Sequence, residues 1–546
     1  MSKNENQAAV LDSAHVGDIK GAFGTIHHDD TVARKGWMAK FKTLLAILGP
    51  GLIVMVGDND AGAFSTYGQA GQNYGTSLLW TLALLIPVIY ISQEMVLRLG
   101  AVTGVGHARL ILERFGKFWG AFSAIDLLLL NALTIVTEFI GISLGMDFLG
   151  VSKITGVLLA ALFIMLSAST GDFRRFERFS LLLVFGSLIL VPIFVMVHPP
   201  LSQVAHDFVV PQMPPGGKLS DVMLLIIGIV GTTVAPWQLF FQQSYIIDKR
   251  ITPRFIKYER ADLWLGIVLV IVGAVAMISF TAKIFMGHPE FGNFQDAGAI
   301  CAGLAKYYGR LPGVLFAIAL IDASIIGAMA VSLSTAYALG DVLSLKHSLH
   351  RKPGDAKGFY AMYCGLIILA AALVLLPGVP LGLLTNAVQT LAGVLLPSAV
   401  VFLLILCNDK EVLGPWVNNR LTNLIAAAIV AVLVLLSVIL TAAVVFPDIS
   451  SETISNILIG GSVLGLIIAI AVNVLHAREE MERGQQANHK AHKRDVQHRH
   501  DWRMPALDKL KPMVLSSRNK LWMSVLRTYL LVAMGMVIYK VIISLV

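Results

Sequence analysis

Charge is what this chain has least of. Only 14% of its 546 residues are Asp, Glu, Lys or Arg, against 56% hydrophobic residues and a mean hydropathy of +0.74, a balance that excludes a soluble globule. Cysteine is nearly absent: Cys301, Cys364 and Cys407 are an odd, scattered set, which excludes a disulfide framework or a CxxC metal knuckle. There is no HExxH and no paired acid and base at a suitable spacing, so enzymatic chemistry and resident cofactors are not expected. The polar stretch before Phe41, with His27, His28, Asp29 and Asp30, lacks an apolar core flanked by a cleavage site; no cleaved signal peptide is expected, and the first spanning helix does the targeting. The net charge of +8 does not indicate nucleic acid, because the basic residues fall in short segments between apolar runs rather than on one surface.

What is present is a series of apolar runs of roughly 18 to 25 residues, each long enough to cross a hydrocarbon core of about 30 Å. Twelve are read, at 43–72, 76–100, 117–147, 152–171, 178–198, 221–247, 262–286, 312–342, 358–377, 380–406, 420–446 and 454–476. They divide the chain into an N-terminal segment 1–42, a first group of five helices 43–198, a second group of five 221–406, and helices 11 and 12 at 420–476. A hydrophilic stretch 477–520 follows, with His489, His492, His498 and His500 among Lys and Arg, and then an apolar run 521–546 carrying Arg527 and Lys540. The histidine-bearing stretch reads as a solvated basic tail. The topology of the last run is open: it could span, lie along the surface or pack on a neighbour.

The basic residues orient the helices. Arg98, Arg109, Arg114 and Lys117 follow the second run, Arg174, Arg175 and Arg178 the fourth, and Lys249, Arg250, Arg254, Lys257 and Arg260 the sixth. Lys346, Arg351, Lys352 and Lys357 follow the eighth, and Lys410 and Arg420 the tenth. The positive-inside rule then places the N-terminus, every even-to-odd loop and the 477–520 stretch in the cytoplasm of a plasma-membrane protein. Its surroundings are lipid; nothing fixes its oligomeric state, and a monomer suffices.

Two runs are interrupted. The first holds Gly57, Asp58, Asn59, Asp60, Ala61 and Gly62 in mid-span. Each ionisable residue at that depth costs at least ~2.5 kcal/mol, so the carboxylates are expected to face a cavity, a partner or a ligand. The glycines permit unwinding that frees backbone carbonyls. The sixth run carries Pro236, which removes a backbone donor and predicts a break near Thr232 to Trp237. Two polar breaks five helices apart are the pattern of an inverted repeat of five, with a substrate site where the breaks meet. The candidate ligands are oxygens: Asp60 foremost, directly or through water, then Asp58, Asn59, the carbonyls of Gly57 and Thr232, Gln238, and Gln389 in the tenth run. Such hard ligands suit Mg2+, Ca2+ or Mn2+.

At these residues the chain resembles the Nramp family of divalent-metal transporters, and within it the Nramp-related magnesium transporters. The resemblance is carried by Gly49-Pro50-Gly51, Gln69-Ala70-Gly71, Arg98-Leu99-Gly100 with Thr103-Gly104, and Glu138 to Gly141. It continues in Phe173 to Arg178, Gly313 to Leu320, Leu396-Pro397 and Asn408-Asp409-Lys410. It implies an all-α polytopic membrane protein of LeuT-like fold, with two inverted five-helix repeats (helices 1–5 and 6–10), helices 1 and 6 unwound at mid-membrane and a metal between the breaks.

The departures from the family pattern matter. Its helix-1 DPGN stands here as Asp60-Ala61-Gly62-Ala63, and its helix-6 MPHN as Ala235-Pro236-Trp237-Gln238. The carboxylate survives, the coordinating Asn becomes Ala63, the Met becomes Ala235, and the His becomes Trp237, which with Gln238 walls the site; any ligand from Ala235 is then its carbonyl. Losing the thioether removes the preference for soft metals, and a wider oxygen-only site fits a partly hydrated Mg2+, with Mn2+ also accepted. The helix-3 Asp aligns with Ile135 and the second helix-6 His with Gln242, whereas Glu138 is retained as the residue for any residual proton coupling. The expectation is a Mg2+ facilitator without proton coupling. The alternatives are a proton-coupled Mn2+ or transition-metal transporter, a sodium-coupled carrier of an organic solute on the same fold, and a non-transporting receptor.

Overall fold

The computed structural model describes residues 9–377, 381–446, 449–450, 452–463 and 502–513, with isolated positions beyond. The histidines 489, 492, 498 and 500 and most of the 521–546 run lie outside the described residues.

The first apolar run forms three consecutive helices: α1 (Trp37–Ile47), α2 (Pro50–Val56) and α3 (Ala61–Tyr74). A 52° bend separates α1 from α2. The bend is at Gly49, whose φ of 153° suits glycine and where a Cβ would overlap the Glu177 carboxylate. Pro50 opens α2, where its missing N–H costs nothing, and Asp262 caps it, accepting from Gly49 N at 3.1 Å and Gly51 N at 2.6 Å.

The first half continues with α4 (Leu79–Thr103), α5 (His107–Phe115), α6 (Lys117–Phe148), α7 (Lys153–Ala168), and a fifth span made of α8 (Phe173–Gly186) and α9 (Leu190–Val197) joined by a 3-10 turn. A short amphipathic α10 (Leu201–Val209) leads to the sixth span, α11 (Leu219–Thr233) and α12 (Pro236–Asp248). Then come α13 (Ile256–Phe285), α14 (Ala297–Tyr308), α15 (Arg310–Val342), α16 (Lys357–Leu375), α17 (Leu381–Cys407), a single turn α18 (Lys410–Leu413) and α19 (Arg420–Val445). Residues 452–463 are helical as well.

Among the described residues nine helices are long and apolar enough to cross a bilayer, and the bent pair α1 and α2 makes a tenth. α7, at 16 residues, is shorter. Leu158, Leu159, Leu162 and Leu166 on α7 and Leu182 and Phe185 on α8 are exposed, the apolar surface expected of helices solvated by lipid. The interior is helix on helix, with α15 laid along α6 and α13 against α2 and α3. The chain is an integral membrane protein.

Ahead of α1 the chain is not a loose polar tail. Strands β1 (Ile19–Gly21) and β2 (Gly24–Ile26) form an antiparallel hairpin with Ile19 opposite Ile26. Gly21 packs on the backbone of Ala46 in α1, where any side chain would collide. This strap is sewn to distant loops. Asp12 accepts from Arg351 and from His347 N at 2.9 Å, Ala22 N donates to Glu177 Oε2 at 2.6 Å, and Arg254 donates to the carbonyls of Asp30 and Val32. Beneath it lies a fully buried ion pair, Lys249 Nζ to Glu177 Oε1 at 2.6 Å, whose ammonium also reaches the Ile47 and Leu48 carbonyls at the end of α1.

Candidate metal-transport site

The break between α2 and α3 follows from where four N–H groups go. Asp58 N and Asn59 N turn back to Met55 and Val56 at 3.3 and 3.1 Å, tightening the end of α2. Ala61 N, which an unbroken helix would give to the Gly57 carbonyl, donates instead to Glu138 Oε2 at 3.1 Å. Ala63 N, which would serve Asn59, donates to Asp60 Oδ1 at 2.9 Å. Asp60 is therefore the N-cap of α3, and the carbonyls of Gly57 and Asn59 lose their helical donors.

The break in the sixth span is narrower than the sequence suggests. α11 runs through Thr233, because Val234 N still reaches Val230 O at 3.0 Å, and α12 begins at Pro236, a favourable first position. Only Val234 and Ala235 leave the helix. Pro236 has no N–H to offer the Thr232 carbonyl, so that oxygen is freed by chemistry rather than by unwinding. Ala235 is extended and 5% exposed.

Around these breaks the structure gathers most of the residues singled out by sequence. Asp58, Asp60, Thr232, Trp237, Gln238 and Gln389 are all buried. Both Asp58 oxygens, Thr232 Oγ1, Gln238 Nε2 and Gln389 Nε2 make no hydrogen bond with the described residues. Gln238 approaches Asp58 without completing a bond, and its Oε1 accepts from Gln93 at 3.1 Å. Gln389, on α17, lies so close to Gly62 that a Cβ there would overlap its amide. Trp237 packs its ring edge against Gly57, 3.6 Å from where a Cβ would stand, and its carbonyl accepts from Ser334 at 2.9 Å. Glu138, on α6, meets the Asp60 carboxyl, a contact that is attractive only with a proton between the two, and it closes against Gly327 of α15. Ala63 sits one turn into α3, its methyl in place of a polar side chain.

Asn59 is the exception. Its amide points to α13, donating to Val270 O at 3.2 Å and crowding Gly273, so its side chain leaves the group and only its carbonyl remains near the break.

Two residues, Tyr67 and Thr233, escaped the sequence reading. Tyr67 stands seven residues, two helical turns, after Asp60 and shares its face; its hydroxyl meets Thr233 Oγ1 at 2.6 Å and feels the charges of Asp58 and Asp60. Thr233 bridges the two broken spans through that contact. The periodicity was there to be used. Gln242, one turn beyond Gln238, is fully buried with both amide atoms unbonded.

Buried orphan oxygens clustered where two half-helices end are poor packing and good cation chemistry. A polytopic helical protein with this arrangement is a carrier that binds its cargo at mid-membrane between broken helices. Residues 51–443 match the family described as "Natural resistance-associated macrophage protein-like", and the chain belongs to that family, Nramp. It is 30% identical over 413 residues, 72% of this chain and 90% of the other, to the divalent metal cation transporter MntH of Ralstonia nicotianae. It is 28% identical over 458 residues, 80% of this chain and 93% of the other, to the MntH of Xylella fastidiosa. In structure it superposes on the manganese transporter of Eremococcus coleocola with a TM-score of 0.62 at 22% identity, covering 82% of this chain and 97% of that one. The fold is accordingly LeuT-like, the activity is divalent metal cation transport, and the metal is cargo rather than cofactor.

Proposed function

We propose that this protein carries Mg2+, accepting Mn2+ as well, by alternating access across the plasma membrane, with its N-terminus in the cytoplasm and the ion still partly hydrated. The observation that carries the reading is the chemistry of the gathered donors: carboxylate from Asp60 and Asp58 and carbonyls of Gly57, Thr232 and Ala235, with the Gln389 amide close enough to turn its oxygen to the ion. No sulfur or imidazole stands among them, because position 235 is Ala and position 237 is a buried Trp packed on Gly57. A site of hard oxygens carries no preference for late transition metals, and Mg2+, which dehydrates reluctantly, uses few protein ligands and several waters. Ala63 leaves room for those waters.

Transport is proposed to run down the Mg2+ gradient and the membrane potential, about 2.3 kcal/mol per charge per 100 mV. Helix 6 offers no histidine to carry a proton between pH 5 and 8. A second reading, proton-coupled Mn2+ transport, is favoured by one observation, the contact of Glu138 with Asp60. Proteoliposome uptake decides between them. Under an imposed inside-negative potential, Mg2+ should enter without acidifying the lumen, and Mn2+ should compete. Stoichiometric acidification, or Mn2+ uptake indifferent to a large excess of Mg2+, would overturn the Mg2+ facilitator; solute-dependent Na+ flux with no metal flux would overturn the metal carrier altogether.

A further inference from the structure

The strap encloses a second site. Between it, the end of α4, the turn after α12 and Arg503 lies a cavity of about 200 Å³. Its lining holds two arginines, three histidines and no aspartate or glutamate. The central cation is Arg250. Its backbone is left-handed at φ 67°, which aims the side chain under the strap, where Nε donates to Ala14 O at 2.9 Å and Nη1 to Asp18 O at 3.0 Å. Gly17, at φ 134°, admits it: a Cβ there would stand 3.0 Å from Nη1. Both partners are carbonyls, and among the described residues no carboxylate pairs with this guanidinium. Burial presses against its charge, with Asp248 and Asp18 acting on it only at a distance. Opposite, His15 has 6% of its side chain exposed. Its Nε2 donates to the His347 carbonyl at 3.0 Å and stands 3.7 Å from an Asp248 carboxylate oxygen, so this ring is spent on holding the strap rather than on the cavity.

A half-buried guanidinium held by neutral acceptors, in a cavity lined by a second arginine and by no carboxylate, recognises an anion, while His27 and His28 on its rim lean on Asp18 and Asp29. The volume suits a phosphate group with a small appendage rather than a large ligand. Arg250 closes α12, the half-helix that begins with Pro236 and Trp237, whereas His15 belongs to the strap that lies on α1 and on the Glu177 end of α8. An anion between them would tie together elements that must separate for the strap side of the carrier to open. We propose that this cavity is a cytoplasmic regulatory site for a phosphate-bearing anion, whose binding slows transport by holding the strap on α12. The cytoplasmic address rests on the orientation proposed above; the binding itself does not.

The test begins without transport. The full chain, purified in detergent, is titrated calorimetrically with inorganic phosphate and with AMP in the absence of divalent metal, and saturable binding is expected. Uptake into proteoliposomes is then measured with free Mg2+ held constant and either anion on the strap side. It should fall about fivefold, the low end of an ordinary coupling between two sites. Arg250→Gln should lose both binding and slowing. Because Arg250 also holds two strap carbonyls, Ala101→Phe provides a second variant: it fills the cavity, leaves those bonds in place, and should keep basal uptake while losing the anion effect. If only phosphatidylglycerol in the vesicles, and neither free anion, slows uptake in an Arg250-dependent way, the site stands and its source is a lipid headgroup. Absence of saturation by about 10 mM with no lipid effect overturns the proposal, as does slowing that persists unchanged in both variants.

Discussion

Asp60 holds two posts at once, and one substitution separates them. As the N-cap of α3 it accepts Ala63 N at 2.9 Å, a service that asparagine performs about as well, whereas alanine at an N-cap costs typically ~1 kcal/mol. As a metal ligand it supplies charge, which asparagine cannot. A carboxylate about 4 Å from a unit charge, at an effective dielectric of about 20, contributes about 4 kcal/mol, so about 8 kcal/mol toward a divalent ion. Bound water and the neighbouring oxygens replace much of this. Even a third, about 2.7 kcal/mol, is about a hundredfold in affinity. Asp60→Asn is therefore expected to fold and melt like the parent while its Mg2+ and Mn2+ uptake, measured in proteoliposomes over a wide range of metal, falls about a hundredfold or more. Asp60→Ala should lose uptake and some stability together. If the asparagine variant took up metal within about twofold of the parent at the same half-saturation, Asp60 would be a helix cap and the site would have to be rebuilt around Asp58.

Four further outcomes follow. Gly62→Ala pushes a methyl into the Gln389 amide, so half-saturation for Mg2+ should rise about tenfold, about 1.4 kcal/mol, in uptake assays, with assembly unaffected. Ala235→Met restores a thioether beside the site and should shift competition toward Cd2+ and Mn2+ against Mg2+, read in mixed-metal uptake. Glu177→Gln strands the buried Lys249 ammonium and should destabilise the protein by ~3–5 kcal/mol, most of it recovered in the Glu177→Gln, Lys249→Met double variant, measured by unfolding in detergent. Burial opposes charge on His347, but Asp341 at 2.8 Å and the Leu345 carbonyl outweigh it and push the imidazole up to about 9. A group raised in the folded state stabilises fully below its unfolded value near 6.5 and loses that support as pH rises through 9. The melting temperature should thus decline across that window, and His347→Gln should flatten the decline.

Most of the spans and both interruptions were legible because bilayer thickness fixes helix length, and because a carboxylate or a proline inside such a helix has few structural excuses; of the twelve spans read, nine and the bent pair pass as membrane-crossing among the described residues. The width of the breaks was not. Thr232 and Thr233 stay helical because a proline disturbs the carbonyl before it without unwinding the turn that carries it. Asn59 lies in the unwound stretch, where no helical period assigns it a face, and its amide turns to Val270. The strap left no periodic trace. Its bonds join residues hundreds of positions apart, Asp12 with Arg351 and Ala22 with Glu177, and its strands are three residues each. Polar sequence with no period of its own was consumed by distant polar partners.

The four unwound residues of the first span bear on the order in which the protein is made. Asp58 and Asp60 sit in a span that is made before its partners, where each acid at mid-bilayer costs ~2.5–3.5 kcal/mol on the insertion scale. Every group that shelters them, on α6, α12 and α17, is synthesised later. A span carrying two acids is thus among those least able to settle in lipid alone, and the later spans supply the polar groups that receive it.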